Sequence, residues 1–327
     1  MIDRPIIAQI GVNATNFLSC ILSRNMVNFI PVMTMKDKIK GSGYLLLATL
    51  IWGSTFIAQS VGMDHIGPFT FLAVRSVLAI AFLFPLSFVL EKEKNRFKEK
   101  WLDSHLWKTG LLTGFAMFLA GAFQQVGMLY TTAGKAGFLT AMYIVLVPVL
   151  GCFLKKRPPF TVWISVALAV AGLYFLSGAG FDKINIGDIL LILCAFWFAV
   201  QITWIDRYGQ DLDGVRLNTV QAIVCCVCSA VGMLLFEDIS LANILNCWLP
   251  LTYAGILSTG VAFTLQIYGQ QLLEPTQASV IMSLESVFAL ICGWIILEER
   301  LSPMESLGCG IMFCAVILSQ IPKKSPV

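Results

Sequence analysis

A carboxylate stands in the middle of an apolar run, "SVIMSLESVFALICGWIIL" (279–297), at Glu285. Arg75 interrupts a second run, "FTFLAVRSVLAIAFLFPL" (69–86). Only 13% of the chain is charged and 57% is hydrophobic, so charges placed this way need a reason. At the centre of a lipid bilayer such a group costs about 2.5–3.5 kcal/mol on insertion scales. Glu285 has the chemistry to bind an amine or to carry a proton, and Arg75 to bind a carboxylate or to pair with Glu285. The structural alternatives stay open: a protonated or paired interhelical carboxylate, and an arginine that snorkels to the outer surface.

Neutral polar and aromatic residues add to this pair. Gln124 and Gln266 lie within apolar runs, where they line a cavity or bridge helices by hydrogen bonds; Gln59 and Gln201 are weaker candidates of the same kind. Trp52, Tyr143, Trp197 and Trp204 lie within runs rather than only at the ends where aromatic belts collect, and they suit cavity walls or ordinary packing. Trp52, Gln59, Arg75, Gln124, Tyr143, Trp197, Gln201, Gln266 and Glu285 form the candidate substrate-binding set, with Glu285 also the candidate coupling group. No catalytic set accompanies them. His65 and His105 fall in loops, and neither H-E-x-x-H, G-x-S-x-G nor a P-loop occurs. Of ten cysteines, Cys225, Cys226 and Cys228 lie in an apolar run and none has metal-site spacing, so buried inert thiols are expected, with no metal and no cofactor.

Such residues must be positioned by membrane helices. A helix rises 1.5 Å per residue, so about 20 apolar residues cross the hydrocarbon core. The pattern predicts ten spans: 43–62, 67–90, 107–130, 134–154, 160–177, 187–205, 216–236, 248–270, 276–297 and 303–321. Glu285 then lies about 14 Å along its helix, near mid-membrane. Ala278, Met282, Glu285 and Ala289 would share one largely small-residue face. Pro148 is expected to kink its span, freeing a carbonyl for a cavity or for packing. Lys135 is expected to be a solvated interfacial lysine. With the segment before the first span inside, sixteen Lys and Arg fall on the inner side and only three, Lys135, Lys183 and Arg300, outside. The positive-inside rule therefore places both termini in the cytoplasm.

The chain repeats itself. At an offset of 142, Ala120, Gln124, Gly127, Ala136, Val145 and Gly151 match Ala262, Gln266, Gly269, Ala278, Val287 and Gly293. At 145, Leu45, Leu46 and Trp52 match Leu190, Leu191 and Trp197. Five spans is an odd number, so the second set enters the membrane upside down. The inner loop Lys155–Lys156–Arg157 then has an outer counterpart, Glu298–Glu299–Arg300, where positive charge is unwelcome. Inverted repeats are an architecture of secondary transporters, with the substrate site near the midplane between halves. The expected fold is thus an all-α membrane protein of ten transmembrane helices, built as two inverted five-helix repeats.

"GYLLLATLIWGSTFIAQ" (43–59), "TTAGKAGFLTAMYIVLVPVL" (131–150) and "TQASVIMSLESVFALICGWIILEERLS" (276–302) resemble the EamA-type drug/metabolite transporters, over about residues 42–321. The chain departs from the family pattern at Ser286, often a proline, and at KKRPP, where the first half usually ends in an acidic residue. The resemblance implies ten-helix inner-membrane transporters, several of which export amino acids or metabolites. It divides the chain into an extension of residues 1–34 without a folded role, a first EamA repeat (42–177), a second (187–321) and a cytoplasmic tail (322–327). "MKDKIKGSGYLLL" from Met35 resembles a natural start. The expected function is export of a small organic solute by alternating access. Import is the closest alternative, ahead of an intramembrane enzyme or a channel. The expected partners are a small-molecule substrate and membrane lipid, with no nucleic acid and a homodimer left open.

Overall fold

The computed structural model describes residues 34–91, 96–131, 133–154, 158–176, 185–297 and 302–319. The contrasted loops at 155–157 and 298–300, together with Lys183, residues 1–33 and the tail 322–327, lie outside the described residues. The longer helices are α1 (Met35–Met63), α2 (Pro68–Leu90), α3 (Ser104–Met128), α4 (Ala133–Ala141, then Tyr143–Phe153) and α5 (Phe160–Leu176), with short turns of helix at Phe97–Trp101 and Leu241–Asn246 between longer ones. They continue as α6 (Ile186–Tyr208), α7 (Gly214–Phe236), α8 (Trp248–Thr252, Tyr253–Ala262, Phe263–Gln270), α9 (Pro275–Met282, then Glu285–Leu297) and α10 (Pro303–Ser319). Among the described residues eight helices are long and apolar enough to cross a membrane; α5 and α10, at 17 residues each, are apolar but shorter. The protein is a multi-pass membrane protein.

Local chemistry explains where these helices begin. Pro68 and Pro275 occupy the first turn, where a missing N–H is harmless. The Asn185 side chain accepts from Asp188 N while Asp188 reaches back to Asn185 N, a capping box that starts α6. Asp103 and Asp213 cap α3 and α7 in the same spirit. α1 starts eight residues before the apolar run, because the lysines of "MKDKIK" are good helix formers and carry the helix out of the apolar zone.

Three helices are irregular, and all three irregularities bear on the site. α4 is interrupted at Met142, whose N–H bonds to Leu139 O at 3.2 Å, three residues back. The helix continues through Pro148, so the break falls six residues before the expected kink. α9 is interrupted at Ser283–Leu284, again with a three-residue bond, Leu284 N to Ile281 O at 3.0 Å. Here Ser279 and Ser283 turn their hydroxyls onto Thr276 O and Val280 O at 2.8 Å each, competing with the regular ladder. The stripe Ala278–Met282–Glu285–Ala289 is therefore divided between two half-helices. In α8, Tyr253–Ala262 is a π-helical segment, and buried Asn218 of α7 meets it, its Nδ2 lying 2.8 Å from Thr259 O and 3.0 Å from Gly260 O.

Packing follows a regular rule. α3 packs on α6 and α8 on α1; α3 on α7 and α8 on α2; α4 on α6 and α9 on α1. α2 pairs with α7, α5 with α10, and α4 with α9. Each of these contacts reappears when every helix is replaced by the one five places along. Close approach at the α1–α9 crossing requires Gly53, because a Cβ there would sit 2.6 Å from Phe288 Cβ and 2.8 Å from Glu285 O. Large apolar side chains such as Phe84, Phe88, Leu234 and Phe236 point outward, as lipid-facing residues do.

Candidate functional site

Helices α1, α2, α3, α4, α6, α7, α8 and α9 surround a cavity. Trp52, Gln59, Arg75, Gln124, Tyr143, Gln266 and Glu285 all line it. Phe56, Phe198, Ile202, Phe263 and Met282 supply an apolar wall, with Trp52 edge-on to Phe263 at 4.9 Å between ring centroids. A void of this kind, mostly apolar with a few convergent polar groups, is the usual form of a small-molecule site.

At one pole, Glu285 is buried and accepts a hydrogen bond from Tyr143 Oη at 3.2 Å. Each of these residues is the first of a half-helix, Tyr143 after the break at Met142 and Glu285 after the break at Ser283–Leu284. They stand 142 positions apart, the offset at which Gln124 matches Gln266.

At the other pole, Arg75 is 7% exposed. Its Nε donates to Thr259 Oγ1 at 2.8 Å, Nη1 to Gln59 Oε1 at 3.3 Å and Nη2 to Ser258 Oγ at 3.4 Å. The π-helical turn of α8 presents the Ser258 and Thr259 hydroxyls together, and Asn218 holds the backbone that carries them. Two expectations for Arg75 therefore fail. It turns inward instead of snorkelling, because neutral acceptors reach it inside the bundle, and no ion pair joins it to Glu285. The charges remain separate groups of one cavity.

Two candidates lie off the wall. Phe198 and Ile202, four residues apart, face the cavity, whereas Trp197 stacks edge-on against Phe196 and Gln201 is fully buried behind the wall. One residue along a helix is a rotation of about 100°, which takes Trp197 off the cavity face. Gln201 instead accepts from Gln266 Nε2 at 3.1 Å and so supports a wall residue. Gln124 Nε2 reaches Thr140 Oγ1 at 3.4 Å while lining the void. Lys135 departs from its solvated expectation too: it pairs with buried Asp188 at 2.8 Å, tying α4 to α6. Sequence reasoning missed Ser258, Thr259 and Asn218. The run "LSTG" in an otherwise apolar span, facing a lone asparagine in the next helix, was the available signal. Trp52 Nε1 and Gln266 Oε1 are buried without a hydrogen-bond partner among the described residues, and both belong to the cavity wall.

Residues 39–178 and 185–320 each match the model of the EamA-like transporter family. An uncharacterized transporter of Archaeoglobus fulgidus is 34% identical over 275 residues, covering 84% of this chain and 83% of that protein. The uncharacterized transporter YoaV of Bacillus subtilis is 24% identical, covering 84% of this chain and 94% of its own. The threonine/homoserine exporter RhtA of Escherichia coli is 29% identical over 169 residues, half of this chain and 55% of RhtA. A crystal structure of another protein superposes with a TM-score of 0.73 at 15% identity, covering 86% of this chain and 96% of that one, a likeness of fold alone.

Proposed function

Because the chain belongs to the EamA-like transporter family, we propose that it is a secondary transporter that exports a small zwitterionic metabolite, an amino acid or a close relative, across the inner membrane. The observation that carries this reading is a single cavity holding a guanidinium at Arg75 and a carboxyl group at Glu285 between aromatic walls. A carboxylate of the solute would sit at Arg75, its amine at Glu285 and Tyr143, and its carbon skeleton against Trp52, Phe198 and Phe263. Export is favoured by the likeness of half the chain to a threonine/homoserine exporter.

In this reading all ten helices span the membrane as two inverted five-helix repeats with both termini cytoplasmic. Support comes from the two family-model matches, from the five-helix shift that preserves the packing partners, and from the equivalent breaks at Met142 and Leu284. Discontinuous helices at the interface of two repeats are where such transporters bind their solutes. Alternate opening would expose Glu285 to water on each side in turn, so it takes up a proton on one side and releases it on the other.

The test has two parts. Cells with and without the overproduced protein are compared for untargeted external metabolites, and the enriched compounds, with homoserine as first probe, are measured for flux in proteoliposomes. Expected is a carrier-type flux that saturates and shows counterflow; no saturable flux of any enriched solute would end the reading. Reporter fusions should place 91–106 and 206–215 in the cytoplasm and 178–186 and 237–247 outside. A cytoplasmic 298–302 loop would break the inverted repeat.

A further inference from the structure

Behind the cavity wall a row of buried side chains crosses four helices. Gln266 Nε2 on α8 donates to Gln201 Oε1 on α6 at 3.1 Å. Gln201 Nε2 donates to Gln221 Oε1 on α7 at 3.4 Å, and Gln221 Nε2 to Thr113 Oγ1 on α3 at 3.0 Å. The row ends at Thr113, whose hydroxyl donates to Thr109 O at 2.7 Å, the shortest bond of the series. Thr113, Gln201 and Gln221 are 0% exposed and Gln266 2%. The helices meet closely enough for this because of Gly114, where a Cβ would lie 2.9 Å from Gln221 Cα.

The order of donors is decided at the far end. A hydroxyl has one hydrogen, and that of Thr113 lies on Thr109 O, so the oxygen can only accept from Gln221. Gln221 must then turn its Nε2 toward Thr113 and its Oε1 toward Gln201. Gln201 must do the same toward Gln266, and Gln266, its nitrogen committed, is left with its oxygen free. That oxygen is buried and unpartnered, on a residue that lines the cavity. Turning any one amide round would set oxygen against oxygen in a place without solvent, which is costly.

We propose that Thr113, Gln221 and Gln201 fix the hydrogen-bond polarity of the cavity wall, so that Gln266 offers an acceptor and selects solutes carrying an N–H or O–H donor at that point. The inference rests on the transport reading of the same cavity and names a chemical requirement on its solute. Thr113, Gln201 and Gln221 are positioning residues in it, acting through Gln266.

Thr113→Val keeps the shape and removes the oxygen that sets the order, so the three amides are free to reverse. Two readouts test this. In protein labelled with 15N-glutamine and held in lipid nanodiscs, the side-chain amide signals of Gln221, Gln201 and Gln266 should shift together, while that of Gln124 stays in place. In proteoliposomes, discrimination between L-homoserine and its O-methyl ether, which differ in one donor, should be about tenfold in the wild type and fall to within about twofold. Thr113→Ser should restore both. Thr113→Ala removes the same oxygen with less bulk and gives the same readouts if the valine variant does not fold. A shift confined to Gln221, or discrimination left intact in a folded Val or Ala variant, overturns the inference. Wild-type protein that moves no enriched solute defeats the transport reading instead, and the amide signals then still decide whether the row is coupled.

Discussion

Arg75 and Gln221 occupy matching settings in different parts of the bundle. Arg75 on α2 donates to Gln59 on α1 and Thr259 on α8. Gln221 on α7 accepts from Gln201 on α6 and donates to Thr113 on α3. Shift every helix by five and one cluster becomes the other: α2 becomes α7, α1 becomes α6, and α8 takes the role of α3. The scaffold thus builds the same cluster of a glutamine, a threonine and a central donor twice, yet it charges only one. Arg75 lines the cavity and Gln221 does not. The shared packing supplies the frame, and the guanidinium at Arg75 supplies a cavity with a positive end.

The Glu285 end is where the largest effect is expected. Among the described residues Glu285 is held by a single side-chain bond, from Tyr143, whereas three neutral side chains hold Arg75. The proposed transport cycle makes Glu285 the group that changes its protonation. Glu285→Gln keeps the shape and removes the titration, so accumulation driven by an imposed pH difference should vanish while counterflow exchange survives. Glu285→Ala should lose both. Flux in proteoliposomes with and without the pH difference, normalised to folded protein, decides the matter. Accumulation by the Gln variant would reassign Glu285 to structure.

Arg75→Gln turns the charged cluster into a copy of the neutral one. A hydrogen bond to a charged group contributes about 1.5–3 kcal/mol, so the apparent affinity for a carboxylate-bearing solute should fall about 10- to 100-fold. The corresponding amide, lacking the anion, should lose little. Flux measured against solute concentration for the acid and its amide separates these outcomes. An equal loss for both would mean that Arg75 only packs the helices together.

Much of this frame was legible in the sequence, for identifiable reasons. Apolar runs of about 20 residues, several starting at a Pro, located the helices to within a few residues, save the start of α1. Glu285 and Arg75 stood out because charge is rare in such runs. The breaks did not stand out. Pro148 drew attention as the helix breaker, yet the interruption lies at Met142, where no residue type announces it. The π-helical turn escaped likewise, since Ser258, Thr259 and Asn218 are individually unremarkable polar residues and act only once α7 meets α8. Gln59 and Gln201 scored alike as membrane glutamines, and only the bundle separates the one that lines the cavity from the one behind it.

The smallest expected effect concerns neighbours on α6. Trp197 was the more conspicuous aromatic, but Phe198 and Ile202 face the cavity while Trp197 lies against Phe196. Trp197→Phe should therefore leave solute affinity within about twofold and stability within about 0.5 kcal/mol, the range of substitutions away from packed or functional features. Phe198→Ala removes wall area that also contacts the Tyr143 ring, at 6.4 Å between centroids. Deleting about 100 Å² of apolar contact at about 25 cal/mol per Å² amounts to roughly 2.5 kcal/mol, or several tens-fold in affinity if the solute skeleton covers that ring. The two variants differ by one position along the helix, so a thermal-melt curve and a flux curve for each isolate the face of α6 that the solute touches. If Trp197→Phe weakened the solute more than Phe198→Ala, α6 would be rotated by about 100° in the transporting state, and the wall would have to be redrawn with Trp197 and Gln201 in it.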